Sequence, residues 1–443
     1  MYPCYDVIVL GGGVAGLSAA SIISDKFPNI LLLDSFGQLG GAQHSIEANG
    51  YTFDVGSFFF YPKAALFERH PKLFESTLPA PCRSERIRPD GTISNYPFAS
   101  KELRELSLWE RSVFFFSLAK GKLAIGPDKN LEQSCHRMIG KAFYQHSGLS
   151  NYVARFYGSD LPASRISPIF VEKRLQFLRQ RTRFVSALKT ICEGYFPAFA
   201  RKDAQPPSQG VVGRVRAEAG FPAMYAPVAD DLVKKGVTIK LNQSLQGIRR
   251  TPTGFQVMTR EGDLRASQIV STVPIQILLD LIGKGDDCRL HSGALLTLCV
   301  SFEGNRGFEG GVLFNFHNRG KWKRLTMHSD FYGLRQNREY FSVEVPVRDS
   351  HTMSDVEGFA DFMASVQAHG LFMGDLRLED SAVTSFAYPR YELGYEKALQ
   401  DALAIIDDFG VIAAGRQGRF DYLPTSGLIG RQVEELLQPM IAG

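Results

Sequence analysis

Residues 5–20 read YDVIVLGGGVAGLSAA. The first six residues are a short, largely β-branched apolar run of the kind that forms a buried parallel strand. Three glycines follow at once, and Gly11, Gly13 and Gly16 give the spacing G-x-G-x-x-G. Each glycine has a physical task. Gly11 permits a tight turn, Gly13 lets a pyrophosphate approach backbone that carries no Cβ, and Gly16 lets the next helix lie close against the strand. The start of that helix offers free N–H groups and the positive end of its dipole to phosphate oxygens. A second apolar run, NILLLD, ends at Asp34, the position from which an acid usually meets a ribose hydroxyl. Strand, glycines, small-residue helix, strand and terminal acid together predict a dinucleotide-binding βαβ unit.

The remaining composition narrows the class. The chain has 443 residues, 44% hydrophobic and 22% charged, which is ordinary for a globular protein of two or three domains. Fifty Lys+Arg face 46 Asp+Glu, a net charge of +4 with no basic run, so nucleic acid is not an expected partner. Six cysteines occur without a CxxC pair, and nine histidines without HxH or HExxH, so neither a metal site nor a disulfide framework is expected. With no signal-like N-terminus, the expected location is cytoplasmic. No run of 18 apolar residues predicts a membrane span. The apolar stretch SVFFFSLAKGKLAIG (112–126) reads as a buried helix, with a membrane-surface helix as the alternative. Residues 201–221, with Pro and Gly among polar residues, read as a loop.

Beyond Asp34 come Gly40–Gly41 and then GYTFDVG (50–56). An acid ending strand two, a glycine pair, and G-x-x-F-D-x-G resemble the FAD-containing superfamily of amine oxidases, protoporphyrinogen oxidases, carotenoid desaturases and UDP-galactopyranose mutases. Three more stretches carry the likeness: GVTIKLNQSLQGI (236–248), SQIVSTVPIQILLDLIG from Ser267, and FGVIAAGRQGRFDYLPTSGLIGRQVEELL (409–437). The resemblance implies an α/β fold with a discontinuous Rossmann-type FAD-binding domain over 1–61, 210–285 and 409–443. A substrate domain of sheet and helices would cover 62–209 and 286–408. It also implies FAD contacts from Gly11, Gly13, Ala15, Gly16, Asp34, Ser35, Gly40, Gly41, Ala42, Gly56, Ser57, Leu245, Gly415, Arg416, Gly427 and Leu428. The last helix would set its N-terminus near the flavin.

The tail pattern GRxGxFxY, with FAYPRYELGY (386–395) and FYGSDLPASRISPIFVEKR (156–174), looks most like the mutase branch. There, residues matching Arg174, Tyr388 and Tyr422 lie in the substrate cleft, and an arginine can grip a diphosphate with paired donors. Where the mutases carry a histidine beside the flavin, this chain has Phe58. Where amine oxidases often keep a lysine, in the strand matching GALLTLCVSF (293–302), it has none. The first expectation is therefore an FAD-dependent oxidoreductase that accepts hydride from a small molecule at flavin N5. One alternative is a non-redox isomerase of a nucleotide sugar working through reduced FAD. A second is a non-catalytic flavin-binding partner protein. Arg174, beside Lys173, Arg179, Arg181 and Arg183, reads equally as part of a solvated basic face, and Tyr388, Tyr391 and Tyr395 read as packing, with a pocket lining as the alternative.

Overall fold

The computed structural model describes residues 3–55, 59–60, 65–98, 102, 105–158, 161–178, 213–349 and 352–442. Strands are numbered along the chain. The first sheet holds β1 (Cys4–Leu10), β2 (Ile30–Leu33), β9 (Val237–Lys240), β10 (Leu245–Thr251), β11 (Gly254–Thr259), β12 (Gly262–Ser271) and β18 (Ile412–Ala413). Its order is β10-β11-β12-β1-β2-β9, with β18 paired to the end of β12. The strands β12, β1, β2 and β9 run parallel, and β10-β11-β12 form an antiparallel meander at one side. Helices cover both faces, so Val7–Leu10 and all of β2 are buried, which is why these runs are continuously apolar.

Helix α1 (Val14–Ile23) leaves β1 through the glycine turn. A Cβ on Gly16 would stand 1.7 Å from the Gly11 carbonyl oxygen, and one on Gly11, at φ +100°, would stand 2.5 Å from Thr272 Oγ1. The helix therefore lies on the strand exit at a distance only glycine allows.

The second sheet holds β6 (Ser84–Ile87), β7 (Ile93–Asn95), β13 (Ser292–Arg306), β14 (Val312–Asn315), β15 (Arg324–Met327), β16 (Glu339–Val347) and β17 (Phe372–Pro389), in the order β17-β13-β16-β15-β14-β6-β7. Two ribbons complete the strands: β3 (Ser45–Ala48) with β4 (Tyr51–Asp54), and β5 (Leu78–Pro79) with β8 (Arg214–Val215).

Two expectations need correction. Residues 213–221 of the expected loop are not an exposed linker; 201–212 lie outside the described residues. Arg214–Val215 pair with β5, and Arg216 is buried on Asp54 of β4, donating also to the carbonyls of Thr52 (2.9 Å) and Ala217 (2.8 Å). Burial pushes the Asp54 carboxyl up, and Arg216 opposes it. A buried arginine is tolerable because carboxylate and carbonyls take its donors. The second correction is the helix Leu108–Leu123, which buries only Phe114 and Leu118 and turns Trp109 and Phe116 to solvent.

Replacing Gly16 with alanine is expected to cost about 3 kcal/mol, because the new methyl meets backbone and not a mobile side chain. A chemical denaturation midpoint equal to that of the parent protein would contradict this packing.

Candidate active site

The cofactor cradle is built where the two glycine stretches meet. Gly13 and Gly40 form a parallel bridge, and Gly40 N–H donates to the Gly12 carbonyl at 2.9 Å. Gly40 and Gly41 have φ +112° and +62°, and a Cβ on Gly41 would come within 2.9 Å of Gly13 Cα. Gly13 caps α1 without any side-chain hydrogen bond, so no side chain occupies the first-turn N–H groups. Asp34 sits at the end of β2. One of its carboxylate oxygens accepts from Gly12 N–H (2.5 Å) and the other from Phe36 N–H (2.7 Å). Burial raises its pKa while these donors hold it down.

The other expected contacts surround this cradle. Gln243 N–H donates to the Asp34 carbonyl at 2.9 Å, which brings the β9–β10 turn beside Asp34, with half-buried Leu245 heading β10. Ser35 is exposed beside Asp34, and Ala42, also exposed, follows the glycine pair. Ala15 meets the tail: a Cβ on Gly415 (φ +77°) would stand 2.3 Å from its methyl. Gly427 is buried in the first turn of the C-terminal helix, where the Leu428 N–H is taken by Thr425. Gly56, Ser57 and Phe58 lie outside the described residues. A glycine-floored groove, amide donors without a side-chain cap and an anchored acid fit a dinucleotide.

One residue beyond Gly415, Arg416 reaches a second cluster. Its terminal nitrogen donates to the Ala387 carbonyl (2.7 Å), and its guanidinium stacks 4.4 Å from the Tyr422 ring centre. Arg174, ending the helix Ile169–Arg174, stacks on the same ring at 3.3 Å and on Tyr388 at 4.1 Å. Tyr391 positions Tyr422 by accepting its backbone N–H at 2.8 Å. Among the described residues, buried Arg174 Nε and one Arg174 terminal nitrogen have no hydrogen-bond partner, and neither has Arg416 Nε. Arg174, Tyr388, Tyr422 and Arg416, distant in sequence, are thus brought together. The aromatic faces orient the guanidiniums and leave their donors unspent.

Sequence reasoning missed the cations behind Tyr388. Lys323, only 3% exposed, lies 2.8 Å from Glu344 and donates to the Tyr388 hydroxyl. Arg324 binds the other Glu344 oxygen. Burial brings the Lys323 amine down to about 7 despite Glu344. Burial would raise the Glu344 carboxyl, but Arg324 and Lys323 outweigh it and hold it at about 2. The phenol of Tyr388 is pushed up by burial, with Glu344 adding to the effect. Burial also raises that of Tyr422, yet Arg174 and Arg416 bring it below its ordinary value. Arg174, Arg416, Lys323 and Arg324 thus gather around Tyr388 and Tyr422, and among the described residues Glu344 pairs with two of them, leaving the cluster positive. A signal existed in Glu344, a charge inside the apolar strand EYFSVEVPV, but a strand's solvent face reads the same way.

One other constellation has the right atoms and no access. Ser21 Oγ lies 2.7 Å from His70 Nε2, and His70 Nδ1 3.2 Å from Asp231. Ser21 is buried within α1, so this chain fastens α1 to the helix Gly220–Lys234. Among the described residues no group of three His, Cys, Asp or Glu could hold a metal.

A profile of the NAD(P)-binding Rossmann-like domain matches residues 9–74. The N-terminal unit is thus similar to an NAD(P)-binding Rossmann-like domain. The chain is 23% identical over 314 residues to the chloroplastic protoporphyrinogen oxidase 1 of Spinacia oleracea, covering 65% of this chain and 53% of that protein. It is 37% identical over 95 residues to the chloroplastic prolycopene isomerase of Arabidopsis thaliana, covering 21% and 15%. The chain thus spans about half or less of the length of these curated relatives. Among solved structures, reduced UDP-galactopyranose mutase superposes with a TM-score of 0.79 at 17% identity, over 99% of this chain and 94% of that one. A protein from an Exiguobacterium species, provisionally described as a protoporphyrinogen oxidase, superposes at 0.70 with 15% identity over 99% of each chain. At these identities the fold is what the superpositions share.

Gly13 has an ordinary φ of −73°, and a Cβ on it would make only ordinary contacts with the backbone of Gly40 and Gly41, the nearest at 3.5 Å. Gly13→Ala should therefore fold normally yet lose most of its flavin, because the methyl enters the groove. An unchanged ratio of flavin to protein absorbance would remove Gly13 from the cofactor site.

Proposed function

We propose that this chain is an FAD-dependent oxidoreductase that takes hydride from a small molecule carrying a carboxylate or phosphate. The observation that carries the reading is the set of unspent donors on Arg174 and Arg416, stacked on Tyr422 and joined to the cofactor cradle through Gly415. FAD, when bound, supplies the hydride-accepting N5. Arg174 and Arg416 bind the anionic group through charge-assisted hydrogen bonds. Tyr388 and Tyr422 hold the guanidiniums in register, and Tyr391 fixes Tyr422. Oxidation of a C–H bond also releases a proton. In its neutral form the Lys323 amine, tuned to about 7 and beside the Tyr388 hydroxyl, is placed to accept that proton from the hydroxyl as the hydroxyl takes it up.

A second reading has specific support. The same donors suit the diphosphate of a nucleotide sugar, and a mutase of that class shares the fold. Non-redox isomerisation through reduced FAD is the alternative that follows. The reduced protein separates the two. Rapid reoxidation in air, with no isomerised product from UDP-galactose, supports the oxidoreductase. Turnover of UDP-galactose by reduced protein alone replaces it with the mutase. A protein that loads FAD but shows neither behaviour, and no flavin spectral change with any anion, overturns both.

Two variants test the anion site, with the flavin spectrum reporting pyrophosphate binding. Arg174→Lys keeps the charge but loses the planar fork, and should weaken binding about tenfold. Binding should also weaken as pH rises through about 7, because Lys323 then loses its charge. Lys323→Met should abolish that pH dependence; if it persists, Lys323 is not its source.

A further inference from the structure

The helix Leu108–Leu123 has an inverted pattern. Its inner face carries Phe114 and Leu118, and Gly121, where a Cβ would meet the His136 carbonyl at 2.2 Å. Its outer face carries Trp109, Val113, Phe116, Lys120 and Leu123, spaced i, i+4, i+7, i+11 and i+14, which is one continuous helical stripe. Trp109 is 77% exposed, Phe116 70% and Leu123 79%, and Ile125 just beyond the helix is fully exposed. An ordinary surface helix would place its polar residues there.

The charges at the C-terminal end of this stripe are lysines. Lys120, Lys122 and Lys129 are exposed at its C-terminal end. Asp128, the nearest carboxylate there, is occupied by Arg137 and Ser134. At the other end, Glu110 accepts from Ser107 in the helix cap and Glu105 faces Arg88 at 3.8 Å. No acid lies on the stripe itself. A tryptophan and large aliphatics with lysines at one end suit the boundary between acyl chains and anionic headgroups. A protein partner of general character would leave the lysine cluster at the C-terminal end unexplained. Among the described residues no helix is long and apolar enough to cross a membrane, so contact would be peripheral.

We infer that this helix docks the protein on anionic phospholipid surfaces, with Trp109, Phe116, Leu123 and Ile125 entering the interface and Lys120 and Lys122 contacting headgroup phosphates. The helix rests on the substrate-side aromatics. Phe114 packs on Phe143, Phe143 on Phe98, and Phe98 on Phe316; Phe316 stacks on Tyr152, beside Phe156 and Tyr388. A docked protein would thus hold its substrate-side layer against the bilayer.

The test uses the full-length, flavin-loaded protein with phosphatidylcholine vesicles, with and without phosphatidylglycerol. Trp109 is the reporter, since the other tryptophan, Trp322, is fully buried and bonded to Ser365. Expected are co-sedimentation with the anionic vesicles, a blue shift of tryptophan emission, and weakening by salt. Trp109→Phe should remove the shift and keep the sedimentation. Lys120→Gln with Lys122→Gln should weaken binding about fivefold per lysine at unchanged flavin content. Phe116→Ser with Leu123→Ser should abolish it, with flavin content and thermal midpoint confirming the fold. The inference is overturned if vesicles produce neither sedimentation nor a shift. It is equally overturned if the lipid-free protein is a dimer that these serine substitutions convert to monomer, because the stripe then meets a second copy. Neither readout depends on the proposed reaction, so its failure leaves that proposal standing.

Discussion

The approach of α1 to the exit of β1 is the constraint on which the rest depends. Gly16 lies against the Gly11 carbonyl with no room for a single added carbon. That contact lays α1 along the sheet with its first amides facing the end of β1. The second glycine pair then lies on the first, Gly40 against Gly12 and Gly13. The chain's last segment closes the same place, since Gly415 reaches Ala15 only because it too lacks a side chain. Three segments, two near the start of the chain and the third almost at its end, converge on one cradle because glycine at each of them removes the atoms that would hold them apart.

The cradle and the charged cluster are coupled by chain geometry. Gly415 touches α1, and its neighbour Arg416 reaches the backbone of β17 and the Tyr422 ring. The Gln417 side chain also bonds the Phe386 carbonyl at 2.7 Å, so two consecutive residues fasten the first sheet's last crossover to the second sheet. Four cations close to one carboxylate would be costly without compensation. Aromatic faces under Arg174 and Arg416, and the shared Glu344 under Lys323 and Arg324, supply part of it. The remainder, donors with no partner, is a local sacrifice of stability of the kind that concentrates at binding sites.

The correction at the helix Leu108–Leu123 follows from how apolar runs are read. A run such as VFFFSLA signals burial because most apolar helices are covered, and the sequence does not say which face another element will occupy. Here the covering elements reach only the Phe114–Leu118 face. Arg216 shows the converse. A charged residue in a polar, glycine-containing stretch reads as loop, yet Asp54, 162 positions away, draws it into the interior.

The sequence alone determined the dinucleotide-binding unit and the positions of its glycines and acid, whereas the return of the chain through β12 and the tail was implied by the family resemblance. The former are local patterns: period, glycine spacing and strand ends are set by residues near one another, so they can be read in order. The tertiary structure alone decided which charged and aromatic side chains form the candidate site. Lys323 and Glu344 meet because β15 and β16 pair in one register, with Arg324 opposite Glu344. Tyr388 and Arg174 join them only when β17 and a helix from far earlier in the chain pack on the same face. Buried electrostatics depends on distances across the fold, and no local pattern in the chain encodes those distances.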